Sequence, residues 1–149
     1  MSAQKSYPQQ ARTFGYLLRS LYGKFSKRLY SRLGEMGYDD IRPAHSAVLR
    51  YIEPEGNRLT ELAELAEITK QSMAYLVDSL QSAGYLELWP DPKDGRAKLV
   101  RLTVRGEGLL ATLLRISGKI ENEIATEFGS DFAQATRAAL ERLDDALDA

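Results

Sequence analysis

Apolar residues Phe14, Leu18, Leu21, Phe25, Leu29, Leu33 and Met36 recur at steps of three or four along residues 11–37. That spacing predicts a long helix with one apolar stripe. Gly34 and Gly37 weaken its end, and Pro43 suits the first turn of a second helix over residues 44–51. This helix stops near Pro54-Glu55-Gly56-Asn57. Two short helices follow, over residues 60–67 and 70–83, with Thr60 and Thr69 as expected N-caps and Gly84 as a left-handed closing residue. Small Ala63 and Ala66, with Ile68, Met73, Val77 and Leu80, let this pair cross closely over one core. Such a pair is a helix-turn-helix.

Residues 86–89 and 98–103 then read as short strands, and between them Pro90, Pro92 and Asp94-Gly95 signal a turn. A hairpin directly after a reader helix is a wing. From Val104 the helical period returns, with Leu113, Ile116, Ile120, Ile124 and Phe128 on one stripe, until Gly129-Ser130 breaks it. A last helix from Asp131 presents Phe132, Ala135, Ala139, Leu140, Leu143 and Leu147. The first ten residues are polar, carry Pro8 and are expected to be loosely ordered. The pattern shows no internal repeat and no low-complexity tract. The expected fold is mainly α, a winged helix-turn-helix lobe with a short β-hairpin between long terminal helices.

Composition narrows the chemistry more than the fold. The 149 residues, 44% hydrophobic and 28% charged, suit one folded domain. No cysteine is present, which removes disulfides, thiol catalysis and thiolate metal sites, and a single histidine, His45, cannot build a multi-histidine centre. No phosphate loop or convergent carboxylate set stands out either, so an enzyme is not expected and no cofactor or metal is implied. No apolar run approaches the ~20 residues of a membrane span, and the N-terminus lacks a signal-peptide core, so a cytoplasmic location without membrane contact is expected. The net charge is only −1, yet residues 93–105 set five cations (Lys93, Arg96, Lys98, Arg101, Arg105) against Asp94 alone. That local balance of +4 suits a face that meets nucleic acid.

The run Gly84-Tyr-Leu-Glu through Asp91-Pro-Lys-Asp-Gly-Arg-Ala-Lys-Leu-Val-Arg-Leu-Thr103 resembles the wing of the MarR family of bacterial transcriptional regulators. The preceding residues 62–80 resemble its two-helix reader, and the flanking helices extend the likeness over residues 11–147. Tyr75 stands where an Arg is frequent in the family, and Gly95 replaces a second wing Arg. The resemblance implies one domain over residues 1–149, with a winged lobe at 43–103 and dimerisation helices at 11–37 and 104–149. The small lobe cannot cover three long apolar stripes, which also calls for a partner chain.

The implied function is a homodimeric, sequence-specific duplex-DNA-binding regulator, a repressor of a pseudo-palindromic operator relieved by a small aromatic or anionic ligand. The rival is a winged-helix protein-interaction module without specific DNA binding. Expected DNA contacts are Thr69, Lys70, Gln71, Ser72 and Tyr75 on the reader helix and Lys93, Asp94, Arg96 and Lys98 on the wing. Gln71 can pair bidentately with adenine, and Lys70 can serve guanine or a phosphate. Arg96 is the expected wing-tip contact, entering a narrow minor groove of enhanced negative potential, with Asp94 holding its guanidinium. Tyr16, Tyr22, His45, Tyr51 and Trp89 are expected to line an effector pocket between the dimer helices and the lobes, because amphipathic rings suit small aromatic anions.

Overall fold

The computed structural model describes residues 12–148. The expected looseness of residues 1–10 lies outside them, as do Ala11, the first residue of the predicted first helix, and Ala149. Helix α1 spans Phe14–Glu35, a 3-10 turn covers Pro43–His45, and α2 is the single turn Ser46–Leu49. Helices α3 (Leu59–Leu65) and α4 (Lys70–Ser82) lead into strands β1 (Leu86–Asp91) and β2 (Asp94–Leu102), and α5 (Val104–Phe128) and α6 (Ser130–Leu147) complete the chain. None of these helices is long and apolar enough to cross a membrane.

One core joins the winged lobe to the inner halves of the long helices. Leu62, Met73, Leu80 and Tyr85 of the lobe are buried with Leu33 of α1 and Leu109, Ile116 and Ile120 of α5. Met73, Val77 and Leu80 recur at four and three, so one face of α4 enters the core while its opposite face stays in water. At its end Gly84 takes φ +85, and the amides of Gly84 and Tyr85 return to the carbonyls of Gln81 and Leu80 at 3.0 and 2.9 Å. These two hydrogen bonds satisfy carbonyls left open by the helix terminus. It also turns the chain straight into β1. Gly106 serves differently: a Cβ there would lie 2.1 Å from the Tyr85 carbonyl oxygen, so only glycine lets the start of α5 pass the wing so closely.

Three local expectations need correction. Thr60 does not cap α3; that helix begins a residue earlier, and the Glu61 carboxylate accepts the Arg58 amide at 3.2 Å. A carboxylate three residues into a helix can satisfy the preceding amide as well as a threonine can. The helix expected over 44–51 contracts to the 3-10 turn plus Ser46–Leu49, with Pro43 opening it. The wing turn is Pro92-Lys93, and Asp94-Gly95 open β2 instead. Pairing runs from Leu86↔Leu102 to Pro90↔Lys98 and then jumps to Asp91↔Asp94, which leaves Gly95, Arg96 and Ala97 bulged outward.

The outer parts of the long helices are not covered. Phe14 is 82% exposed and Leu21 62%, and no residue of α6 is buried. Phe132, Leu140, Leu143 and Leu147 all show large exposed areas on that helix. Ion pairs Arg32–Glu123, at 2.8 Å, and Arg137–Glu121 tie α1 to α5 and α5 to α6.

Candidate nucleic-acid interface

The reader helix is fixed at its start by its own sequence. Thr69 is extended at φ −67, ψ 154, and its Oγ1 accepts the Ser72 amide at 3.1 Å while donating to Ser72 Oγ at 2.9 Å. Thr69 and Ser72 therefore hold each other and the first turn. Lys70, Gln71 and Tyr75 are exposed around them, Tyr75 to 75%. The structure thus gathers all five reader residues at one end of α4. Gln71, Ser72 and Tyr75 form one wall of a shallow concavity of about 720 Å³, and Ala44, Ser46 and Ala47 form the other. Short side chains on that second wall leave the reader's polar edge open to a broad ligand. The approach to α4 is strained: Glu67 adopts φ +54, a left-handed conformation unfavourable for a side chain with a Cβ.

The wing is held by a clamp that sequence reasoning missed. Arg58, just before α3, donates from Nε at 2.9 Å and Nη2 at 2.7 Å to Asp91 Oδ2. Asp91 Oδ1 accepts the Lys93 amide at 2.9 Å, so one nearly buried carboxylate pins both the turn and the lobe. The Lys93 amide, followed by the Arg58 guanidinium, lowers the Asp91 pKa from its ordinary value. Asp94 is oriented otherwise than expected: its Oδ1 accepts the Arg96 backbone amide at 3.0 Å, and its Oδ2 lies 3.9 Å from Arg58 Nη2. The aspartate shapes the bulge instead of holding the Arg96 guanidinium. Arg96 is left projecting from the bulge into solvent, with Lys93 at the turn and Lys98 opposite Pro90.

Two cations counted in the basic stretch have internal partners. The Arg101 guanidinium lies 5.1 Å from the Trp89 ring centroid. Arg105 lies 4.4 Å over the Tyr85 ring, donates to the Tyr85 hydroxyl at 3.0 Å and to the Ala83 carbonyl at 3.0 Å. The Tyr85 hydroxyl donates in turn to Asp40 at 2.8 Å. Burial first, and then Asp40, push the Tyr85 pKa up to about 12. This network joins the loop after α1, the end of α4 and the start of α5. The cations that remain directed outward are Lys93, Arg96 and Lys98.

The five expected effector residues do not converge on one cavity among the described residues. Trp89 sits on the wing under Arg101, and Tyr16 borders a shallow basic hollow on α1. Tyr22 accepts from Arg50 Nη2 at 3.1 Å, and Tyr51 is half-buried at the edge of the core. His45 is 5% exposed; its Nδ1 accepts the Arg42 amide at 2.9 Å and its Nε2 lies 3.1 Å from Ser79 Oγ. Accepting at Nδ1 puts the proton of the neutral ring on Nε2, which donates to Ser79. His45 thereby fastens the 3-10 turn to the reader helix.

A two-helix reader with an open polar end, followed by a clamped hairpin with a projecting arginine, defines a winged helix-turn-helix protein. The model of the MarR family matches residues 39–97, the whole of this reader and most of the wing. The transcriptional regulator HosA of Escherichia coli O111:H- is 26% identical over 106 residues, 71% of this chain and 76% of its own. Two solved structures share the fold. One is MarR, at 23% identity and TM-score 0.77 with 95% of each chain covered. The other is the transcriptional repressor CouR bound to a 23-mer DNA duplex, at 20% and 0.73, covering 95% of this chain and 99% of that one. Over residues 39–97 the chain is similar to the MarR family, and nearly its whole length shares the fold of these two structures.

Proposed function

We propose that two copies of this chain bind duplex DNA at a pseudo-palindromic operator in the cytoplasm and repress the adjoining gene. The observation that carries this reading is the open polar start of α4 beside the three outward cations of the clamped wing. In it, Gln71 and Lys70 read base edges, Tyr75 packs against the groove wall, and Thr69 and Ser72 set the helix start. Lys93, Arg96 and Lys98 take the phosphates and the minor groove, and Asp94 keeps the bulge in shape. Residues 11–37 and 104–149 form the dimerisation region, residues 43–103 the DNA-binding lobe, and the whole chain is one domain. The uncovered apolar faces of α1 and α6 support the dimer, because large exposed apolar patches mark interaction surfaces. Reader helices related by a two-fold would sit about one DNA turn, roughly 10 base pairs, apart.

Relief by a small aromatic or anionic ligand belongs to the same proposal, acting through a change in the spacing of the two reader helices. Such a ligand needs different affinities for the free and the DNA-bound states. The decisive experiment selects fragments of the source genome on the purified protein and titrates the winners with wild type and Arg96→Ala. Strong, salt-sensitive binding that Arg96→Ala weakens supports the reading. Failure of the wild type to bind any selected duplex overturns it in favour of a protein-interaction module.

A further inference from the structure

The strongest unassigned charge lies on α1. Residues 12–34 carry Arg12, Arg19, Lys24, Lys27, Arg28 and Arg32 and no acid, in a chain whose net charge is −1. Three of these cations, Arg19, Lys24 and Lys27, border a shallow hollow of about 400 Å³ with Tyr16, Ser20 and Gly23. No side chain grows from its centre at Gly23, and an ideal Cβ there would meet nothing within 4 Å. The hollow is open to something broad.

Its place on the helix separates it from the dimer contact. Phe14, Leu18 and Leu21 form the exposed apolar stripe, whereas the face centred on Gly23, with Arg19 and Lys27 to either side, lies about 180° round the helix at roughly 100° per residue, and Lys24 stands between the two. A second copy that covers the apolar stripe leaves the basic face open. On α6, Glu141 and Asp145 stand on the side opposite Phe132, Ala139 and Leu143, with Asp131 and Asp144 on its flanks. Apolar faces that meet would turn both charged faces outward.

The basic face continues onto the reading surface. Tyr30, seven residues beyond Gly23 and on the same face, is half-buried against the core, where α1 packs on the 3-10 turn that precedes Ser46. Ser46, with Ala44 and Ala47, lines the concavity beside Gln71 and Ser72. Arg50, just past the end of α2, donates to the Tyr22 hydroxyl of α1 at 3.1 Å, about 100° round that helix from Gly23. A polyanion seated on the start of α4 and extending past Ser46 would meet Lys27 and then Lys24.

We propose that this face of α1 is a second contact with duplex DNA, gripping the sugar–phosphate backbone beside the groove that the reader helix enters. The proposal rests on the DNA-binding reading above. Lysine, a mobile point charge, suits phosphates that repeat regardless of sequence, so the face adds affinity without base preference.

The test uses the full chain and a duplex that the wild type selects from a random-sequence library, titrated at salt concentrations from about 50 to 200 mM. Lys24→Gln/Lys27→Gln should weaken binding about tenfold at the lower salt and reduce the steepness of log K against log salt by about 2, near 0.9 per lost phosphate contact. The order of preference among base-substituted duplexes should not change, nor should the mass by light scattering. Unchanged affinity and salt slope, beside a wild type that binds, would show a merely solvated face and overturn this proposal alone. A fall in mass would assign the face to the contact between copies and overturn it too. A wild type that selects no duplex would remove the DNA-binding reading and this inference together.

Discussion

The winged lobe and the outer helices treat their side chains in opposite ways. In the lobe, Leu62, Met73, Val77, Leu80 and Tyr85 are buried, and the buried polar groups are tied to partners: Asp91 to Arg58, the Tyr85 hydroxyl to Asp40 and Arg105, His45 to Arg42 and Ser79. In α6 the apolar positions recur as regularly, yet none is buried. The lobe contains its own stabilising contacts, whereas the outer helices leave an apolar face exposed. Regular periodicity therefore identifies a buried face without identifying the molecule that buries it.

Truncations test this difference most severely. Leu62→Ala, in a fully buried lobe position, should cost about 2–5 kcal/mol in denaturant unfolding, with the loss independent of protein concentration. If the proposed dimer covers α6, Leu143→Ala should instead cost an amount that grows with protein concentration and should lower the mass seen in light scattering. A concentration-independent loss at Leu143 would place its contacts within one chain.

Arg58→Met keeps much of the side-chain volume and removes the wing clamp. It should leave far-UV helicity intact, weaken duplex-DNA binding about tenfold and raise amide exchange at Lys93 and Arg96, because the carboxylates of Asp91 and Asp94 that accept those amides lose the guanidinium beside them. Native-like exchange in this variant would mean the hairpin holds itself.

Acid should act on the lobe through His45. Burial lowers its folded pKa below the ordinary 6.5, so the unfolded chain takes up the proton first. The stability that neutral His45 contributes is complete above about 6.5 and is lost as pH falls from there to the lower folded value. Asp40 opposes this depression and Arg42 adds to it. Thermal melts across that window should show the decline, and His45→Asn, whose amide oxygen can replace Nδ1 as acceptor, should flatten it. With only one histidine in the chain, the ring resonance can be followed by NMR without assignment.

The smallest change concerns the turn between the two reader helices. Glu67→Gly should remove the left-handed strain at φ +54 and, against glycine's greater unfolded freedom, raise stability by up to about 1 kcal/mol. A loss of stability would show that Glu67 makes a contact outweighing its backbone cost.

Local physics was legible before any tertiary contact was known. The stripe of α1, the Thr69 cap, the left-handed Gly84 and the break at Gly129 all depend on residues within about one helical turn of one another, so their spacing carried the answer. Where two local solutions competed, spacing chose wrongly: Glu61 displaced Thr60 at the start of α3, and Pro92-Lys93 displaced Asp94-Gly95 at the tip of the wing. Composition placed the basic stretch, but not which cations face outward. Arg58 and Asp91 are 33 residues apart and Tyr85 and Asp40 are 45 apart, so nothing short of the folded chain brings them within hydrogen-bond reach. Periodicity and caps are set by forces between near neighbours along the chain; ion pairs and buried hydroxyls obey distance in space, which only the packed helices establish.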